Sequence, residues 1–447
     1  MVGAGFCGVA LARALALHAQ PGARIALMGH DGDFARGVAY GTPRLEHCLN
    51  VRARDLGIDP AQPAGFADWL GLQSPAREGF QPRAHYGDYL CAMLAEAEAT
   101  AAARSVALQV IRATVEAVER TAPGFVCRVV GCDSIAATRV VLAMGALPPQ
   151  PLASLSPALV ASPNYIAAPF ADGALDQVPR DAEVLVIGTG LTFADVAISL
   201  RRNGHRGRIE AISRHGLPPL PHAVEPATPL PVSAGLLDAL HEGDVRRVLH
   251  ALRAASRQAD DWRRVIDALR PHTQSFWQRM DGSARRRFLR HLRTYWEIHR
   301  HRIAPVLNDE LDAMRSSGQL VIRASRLIGA DVDDGRARLA LRDRGLSDLR
   351  TLSVDRVVRA IGLDSDVERT AHPLVARLRD AGVVRSDALG LGMDIDEDFV
   401  VLDRNGERVT GLYVLGPLLR GRWWEITAVP ELRRAAAELA DRLVRQE

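Results

Sequence analysis

The chain carries two glycine clusters built for phosphate. Gly3-Ala4-Gly5-Phe6-Cys7-Gly8 is a G-x-G-x-x-G, and Gly188-Thr189-Gly190 follows about 185 residues later. In a dinucleotide fold the first glycine makes the strand-to-helix turn. The second lets the backbone approach a pyrophosphate, and the third lets the helix pack on the sheet. The phosphates then sit on the positive end of that helix. One such motif is weak evidence. Two, each with helix-like sequence behind it, point to a chain that holds two nucleotides, usually a flavin dinucleotide and a nicotinamide dinucleotide.

Gly3, Gly5 and Gly8 take the three roles in the first motif, with Ala4 and Phe6 between them. Leu11, Ala12, Leu15 and Ala16 continue as an apolar helical face, and Arg24 to Met28 reads as the second strand. Two departures stand out. Only Met1 and Val2 precede the motif, where a buried strand of about five apolar residues belongs. The first strand is therefore expected to be absent or nearly so, and the gene to encode an in-frame apolar stretch upstream. The acid that should meet the ribose falls on Gly29, with His30 or Asp31 as substitutes.

The second motif follows a continuous apolar run, Glu183-Val184-Leu185-Val186-Ile187, as a buried parallel strand requires. Gly188, Gly190, Leu191 and Thr192 are the expected cofactor contacts, and Phe193 replaces the third glycine. Arg208 to Ser213 gives the next strand, and Arg214 behind it suits the 2′-phosphate of NADPH. An exposed arginine without a ligand is the plainer reading, and the whole module could keep its fold without a nucleotide.

Three further segments share one grammar of β-branched strand, small residue and glycine. They are Arg139 to Gly145, with Ala143, Met144 and Gly145 at its end; Arg356 to Gly362; and Leu412 to Pro417, which contains Gly416. In two-dinucleotide flavoproteins such segments mark where the chain leaves and re-enters the flavin domain. A helix from about Val429 would point its N-terminus at the flavin and stabilise negative charge there.

Several chemistries are excluded. All 56 basic residues are arginine. Without lysine there is no Walker A loop and no Schiff-base chemistry. The five cysteines form no C-x-x-C pair, so disulfide frameworks and zinc ribbons are not expected. No apolar run reaches the roughly 20 residues of a membrane span, and no signal peptide is visible, so the cytoplasm is the expected compartment. Net charge is +3, and the basic stretch Arg285 to Arg302 is balanced by acids elsewhere, so nucleic acid is not expected as a partner. His291, His299 and His301 lack a carboxylate at ligand spacing, so no metal is expected.

Beyond these motifs the chain resembles the bacterial FAD/NAD(P)-binding proteins grouped with FAD-dependent urate hydroxylases and aspartate N-monooxygenases. The resemblance runs along nearly the whole length. It includes Arg36-Gly37-Val38-Ala39-Tyr40, His47-Cys48-Leu49-Asn50-Val51, Tyr86-Gly87-Asp88-Tyr89-Leu90 and Trp262 to Pro271. It continues through Arg287 to His291 and His299 to Arg302, and closes on Trp424 to Glu431. It implies FAD and NADPH or NADH as cofactors, with Arg36, Asn50, Val115, Trp424 and Ile426 joining the cofactor contacts. It also implies that NAD(P)H reduces the flavin and that one oxygen atom of O2 passes to a small polar substrate, such as urate or an amino-acid amine. Glu425 and His222 are the candidate catalytic residues, since each follows a strand or loop aimed at the presumed flavin side.

The expected fold is α/β, with two Rossmann-like dinucleotide-binding domains and a helical insert. The FAD-binding domain takes residues 1–160 and 363–447, and the NAD(P)-binding domain takes 161–230 and 317–362. The insert, 231–316, is a helical cap or a structural layer. Two other functions stay open: a flavin oxidoreductase without oxygen transfer, and a non-catalytic nucleotide-binding or redox-sensing protein. Oligomeric state does not follow from the sequence.

Overall fold

The computed structural model describes residues 1–362 and 364–445. The expected boundary residue 363 lies outside the described residues. The chain forms two compact units. The first takes Met1–Leu45, Val51–Pro148 and the chain from Asp364 onward; the second takes Glu46–Asn50 and the chain from Pro149 up to that return. The chain thus changes unit after Pro148, where the sequence reading has residue 160, and visits the second unit once before that.

In the first unit Arg24–Gly29 runs parallel to Ala107–Arg112, and Val140–Leu142 runs parallel to Arg408–Val414. Val2 joins these two pairs into one sheet by bridging Met28 on one side and Leu142 on the other. The Val2 amide donates to the Val141 carbonyl at 2.8 Å, and the Gly3 amide donates to the Met28 carbonyl at 2.8 Å. The first strand is therefore present as a stub. It is too short for any periodicity, but it sits in the central position a dinucleotide fold requires. The helix Phe6–His18 leaves it directly and packs against Arg83–Ala103 and Val429–Arg445. Val400–Leu402 lies antiparallel to Arg408–Val414, and a three-stranded meander, Val115–Thr121, Gly124–Val129 and Ile135–Ala137, completes the unit's strands among the described residues.

The second unit is built on a seven-stranded sheet. Its parallel part orders Leu320–Asp333, Ile209–Ser213, Val184–Ile187, Arg356–Arg359 and Tyr165–Ile166. Val184 to Ile187 are all buried, and Leu185 and Ile187 pack in one core cluster with Leu159, Leu339, Leu341 and Val354. Each such side chain contributes about 2 kcal/mol relative to exposure. Leu320–Asp333 is long enough to belong to two pairings. Its first half is parallel to Ile209–Ser213, and its second half is antiparallel to Arg336–Asp343, which in turn pairs with Arg350–Val354.

Helices run from Ala234–Glu242 to Pro305–Ser316, as the lack of strand signals predicts. Polar caps start several of them. Ser233 accepts from Leu236, Asp244 from Arg246 and Arg247, Asp261 from Arg263, and Asp281 from Ala284. Each cap satisfies a backbone amide that the helix itself cannot. Two of the resembling strings hold one another here. The Trp262 ring stands edge-on to His299 at 4.8 Å, and buried Arg302 pairs with Asp267. Among the described residues no helix is long and apolar enough to cross a membrane.

Candidate nucleotide-binding and active-site residues

In the first unit the glycines stand where only glycine fits. Gly3 has φ +109°, and a β-carbon on it would lie 2.3 Å from the Ala143 carbonyl oxygen and 2.9 Å from the Met144 α-carbon. A β-carbon on Gly8 would lie 2.1 Å from the Gly3 carbonyl oxygen. Gly5 is the N-cap of Phe6–His18, and no side chain caps that helix end. The first-turn amides therefore keep their capacity to bind an anion. The motif is brought together with Ala143 and Met144, and Gly145 follows them at φ +75°. Gly416, at φ +118°, faces the same turn: its β-carbon would lie 3.3 Å from the Cys7 sulfur. Burial pushes the Cys7 thiol up to about 12, so it stays protonated and unreactive.

Gly5 also meets a residue outside the expected contacts. A β-carbon on Gly37, itself at φ +59°, would come 3.2 Å from the Gly5 α-carbon. Arg36 beside it pairs with Asp88 at 2.6 Å, and that bond raises the guanidinium pKa and keeps it charged. Gly87 makes room for the arrangement, since a β-carbon there would lie 2.5 Å from the Tyr40 carbonyl oxygen and 2.7 Å from Arg36 Nη1. Tyr40, Phe66 and Phe6 all pack on the Tyr86 ring. The Arg36–Tyr40 and Tyr86–Leu90 strings are thus two sides of one contact under the first glycine turn.

Gly29 ends its strand against Ala4, His30 Nδ1 accepts from the Gly32 amide at 3.2 Å, and exposed Asp31 pairs with Arg112 at 3.3 Å. Val115 is buried at the start of the meander, opposite Val129. Trp424 and Ile426 are buried, with the Arg420 guanidinium 4.5 Å from the Trp424 ring centre. Glu425 between them is 4% exposed and holds φ +66°, a left-handed conformation that costs a residue with a β-carbon about 1–2 kcal/mol. A buried carboxyl on strained backbone is a feature that clusters at active sites.

The second unit repeats the first turn. Gly188 has φ +118°, and its β-carbon would lie 2.1 Å from the Ala360 carbonyl oxygen. Gly190 caps Leu191–Arg202 with φ −85° and ψ −162°, against −80° and −163° at Gly5. Leu191 and Thr192 form the open first turn of this helix, and Phe193 behind them is fully buried. Gly362, at φ +80°, follows the Ala360 contact as Gly145 follows Ala143. The Thr189 hydroxyl donates to the Leu217 carbonyl at 2.8 Å and stands 2.9 Å from the Ser213 hydroxyl. These bonds tie the turn to the loop that carries exposed Arg214. His222 and Asn50 are brought together in this unit, since His222 Nε2 lies 3.0 Å from the Asn50 carbonyl oxygen. The two candidate catalytic residues, Glu425 and His222, belong to different units.

These turns are what a dinucleotide needs, and the comparisons with known proteins agree. Residues 1–147 match a family model described as FAD-NAD(P)-binding. The fold is that of the two-dinucleotide flavoproteins. An ornithine N-hydroxylase from Kutzneria sp. 744, solved with reduced FAD, NADP+ and L-ornithine, is 16% identical with a TM-score of 0.65; the match covers 100% of this chain and 98% of that one. L-lysine 6-monooxygenase from Pseudomonas syringae is 17% identical with a TM-score of 0.62, over 99% of this chain and 98% of that one. Thioredoxin reductase from T. acidophilum is 13% identical with a TM-score of 0.52, over 100% and 96%. At these identities the likeness is one of fold. The search of curated proteins found no match.

Proposed function

We propose that the protein is an FAD-dependent, NAD(P)H-using monooxygenase acting on a small polar molecule. The observation that carries this reading is the repeated turn. Gly3 against the Ala143 carbonyl and Gly188 against the Ala360 carbonyl are the same contact made twice, once in each unit. The first unit would hold FAD and the second the nicotinamide nucleotide. Bound FAD would supply hydride acceptance from the nicotinamide and oxygen transfer from O2 to the substrate.

The residues of the chain would bind and orient the two cofactors. Amides of the uncapped first turns after Gly5 and Gly190 would take the pyrophosphates. Arg36, held by Asp88, would add a fixed positive charge beside the first. Buried Trp424 and Ile426 would exclude water around Glu425, and Glu425 or His222 would move the proton. The cytoplasm is the compartment proposed.

The amino-acid substrates of the ornithine N-hydroxylase and the L-lysine 6-monooxygenase favour an amino-acid amine, with urate as the other candidate. The test starts with the absorption spectrum of the purified protein. Flavin bands, followed by substrate-dependent NADPH oxidation and a hydroxylated product, support the reading. Colourless protein that takes up no added FAD sinks it. NADPH consumption with peroxide as the sole product, unchanged by ornithine, lysine, aspartate or urate, would leave an oxidoreductase without oxygen transfer.

A further inference from the structure

The second unit holds a basic cavity at the edge of its sheet opposite the nucleotide turn. The cavity measures about 610 Å³ and lies where Leu191–Arg202 and Pro305–Ser316 end and where Ile209–Ser213 and Leu320–Asp333 begin. Gly188 follows the other end of a neighbouring parallel strand, about 15 Å away at roughly 3.3 Å per residue. Nucleotides take the carboxyl ends of such strands, so this amino-terminal edge is not a cofactor site. A cavity of this size suits a small organic molecule.

Arg201, Arg206 and Arg208 line the cavity, and among the described residues no carboxylate does. Arg206 pairs with Asp181 at 3.0 Å, but both side chains are exposed and water weakens the pair. Arg208 competes with Arg323 and Arg350 for one carboxylate, that of Glu210. Among the described residues Arg201 reaches no carboxylate; its Nη1 donates to the Glu310 carbonyl at 3.4 Å. The two helix ends carry about half a negative charge each, which a single guanidinium offsets. Positive charge is left over. Buried His205 lines the same cavity. Its Nε2 meets the Ala182 carbonyl oxygen at 2.9 Å and so carries the ring hydrogen. Nδ1 is buried with no hydrogen-bond partner among the described residues, a costly state for an acceptor.

We propose that this cavity binds the phosphate monoester of a small hydroxylated molecule, with Arg201, Arg206 and Arg208 around the phosphate and His205 Nδ1 accepting from its hydroxyl. Guanidinium forks suit any phosphate or carboxylate. The histidine separates the two. A phosphate monoester has its second pKa near about 6, so close to neutral pH it still brings a proton to a bare acceptor. A carboxylate brings none, and the ring cannot supply one. Burial holds its pKa below the ordinary value, against the opposing pull of the Ala182 bond and Asp181. The other wall contributes no charge. There the Ser317 hydroxyl donates to the Met314 carbonyl at 3.0 Å, and Gln319 Nε2 donates to the His205 carbonyl at 2.8 Å. Both side-chain oxygens are left as acceptors for hydroxyls of the ligand.

The experiment titrates the full chain with glycerol 3-phosphate by calorimetry at constant ionic strength, beside succinate and glycerol. Glycerol 3-phosphate is expected to bind about tenfold or more tightly than succinate, and glycerol not at all. R201Q, which breaks no ion pair, should weaken binding several-fold, and R201Q/R208Q about tenfold or more. G188A should bind the ester as the native chain does. Lowering the pH from about 8 to about 6 should tighten native binding several-fold, as the ester gains its proton, and H205Q should lose that gain. No binding of the ester, binding unmoved in R201Q and R201Q/R208Q, or binding lost in G188A overturns the site; the last result puts the phosphate on the nucleotide turn instead. Succinate bound as tightly overturns the choice of phosphate. A pH gain that persists in H205Q overturns the role of the histidine. None of these results touches the flavoprotein reading, which the absorption spectrum tests separately.

Discussion

Ala4 occupies the space that a side chain at Gly29 would need: a β-carbon on Gly29 would lie 2.6 Å from that of Ala4. The acid expected at the end of this strand is therefore excluded by the glycine turn itself. Restoring it should harm the protein. G29E is expected to lose about 1–3 kcal/mol through overpacking and to lower flavin content. A4G/G29E should recover part of both, because it removes the opposing methyl while the backbone of residue 4 stays close. Thermal melts with and without added FAD check this; G29E that binds flavin as tightly as the native chain would refute it.

Two of the buried left-handed residues in the first unit can be tested by substitution. Ala35 is buried at φ +63°, and Glu425 is buried at φ +66°. A35G is expected to stabilise the protein by about 1 kcal/mol, since relief of the left-handed strain outweighs the extra freedom of the unfolded glycine. E425G is expected to lose turnover if the strained backbone serves the reaction. Equilibrium unfolding and NADPH oxidation, measured on both variants, separate the two cases. A destabilised A35G would count against the strain.

The repeated turn makes the two cofactors separable by mutation. G3A should abolish flavin retention, because its β-carbon would lie 2.3 Å from a carbonyl oxygen. G188A should spare the flavin spectrum and abolish NADP+ binding, by the same clash at 2.1 Å with the Ala360 carbonyl. Purified G188A is expected to be yellow and unreactive to NADPH, yet reducible by dithionite. A G188A that still oxidises NADPH at the native rate would remove the second turn from the reaction.

Acid should weaken the fold through His205. Its ring is buried, Nε2 lies 2.9 Å from the Ala182 carbonyl oxygen, and burial lowers its pKa below the ordinary 6.5. The unfolded chain then binds a proton that the folded chain resists. This contribution is fully present above the unfolded pKa and declines as pH falls from about 6.5 toward the folded value. H205Q keeps a donor for Ala182 but cannot titrate, so its stability should fall less between pH 7 and 5.5. Parallel slopes in denaturant titrations would rule His205 out as the cause.

What the sequence made legible was the local part. Gly3 and Gly188 belong to motifs whose spacing is local and can be found without the fold, although the groups that exclude a side chain there come from Ala143 and Ala360. The strand ends at Ala143 and Ala360 carry their own grammar of apolar run and glycine. What stayed hidden was long-range. Val2 is too short a strand to have a period. The collision of Gly29 with Ala4 needs the register of the sheet.

The short visit of Glu46–Asn50 to the second unit also sets how the molecule could be taken apart. His47 Nε2 lies 2.8 Å from the buried Ser199 hydroxyl, and His222 reaches the Asn50 carbonyl. The polypeptide crosses from one unit to the other at 45/46, 50/51, 148/149 and again just before Asp364. An excised 149–363 fragment would carry the whole seven-stranded sheet and still be incomplete, with Ser199 and His222 stripped of these partners. Neither half is a cassette that evolution or an engineer could transplant by a single splice. Recombination that preserved the nucleotide turns but swapped residues 46–50 would be expected to yield insoluble protein.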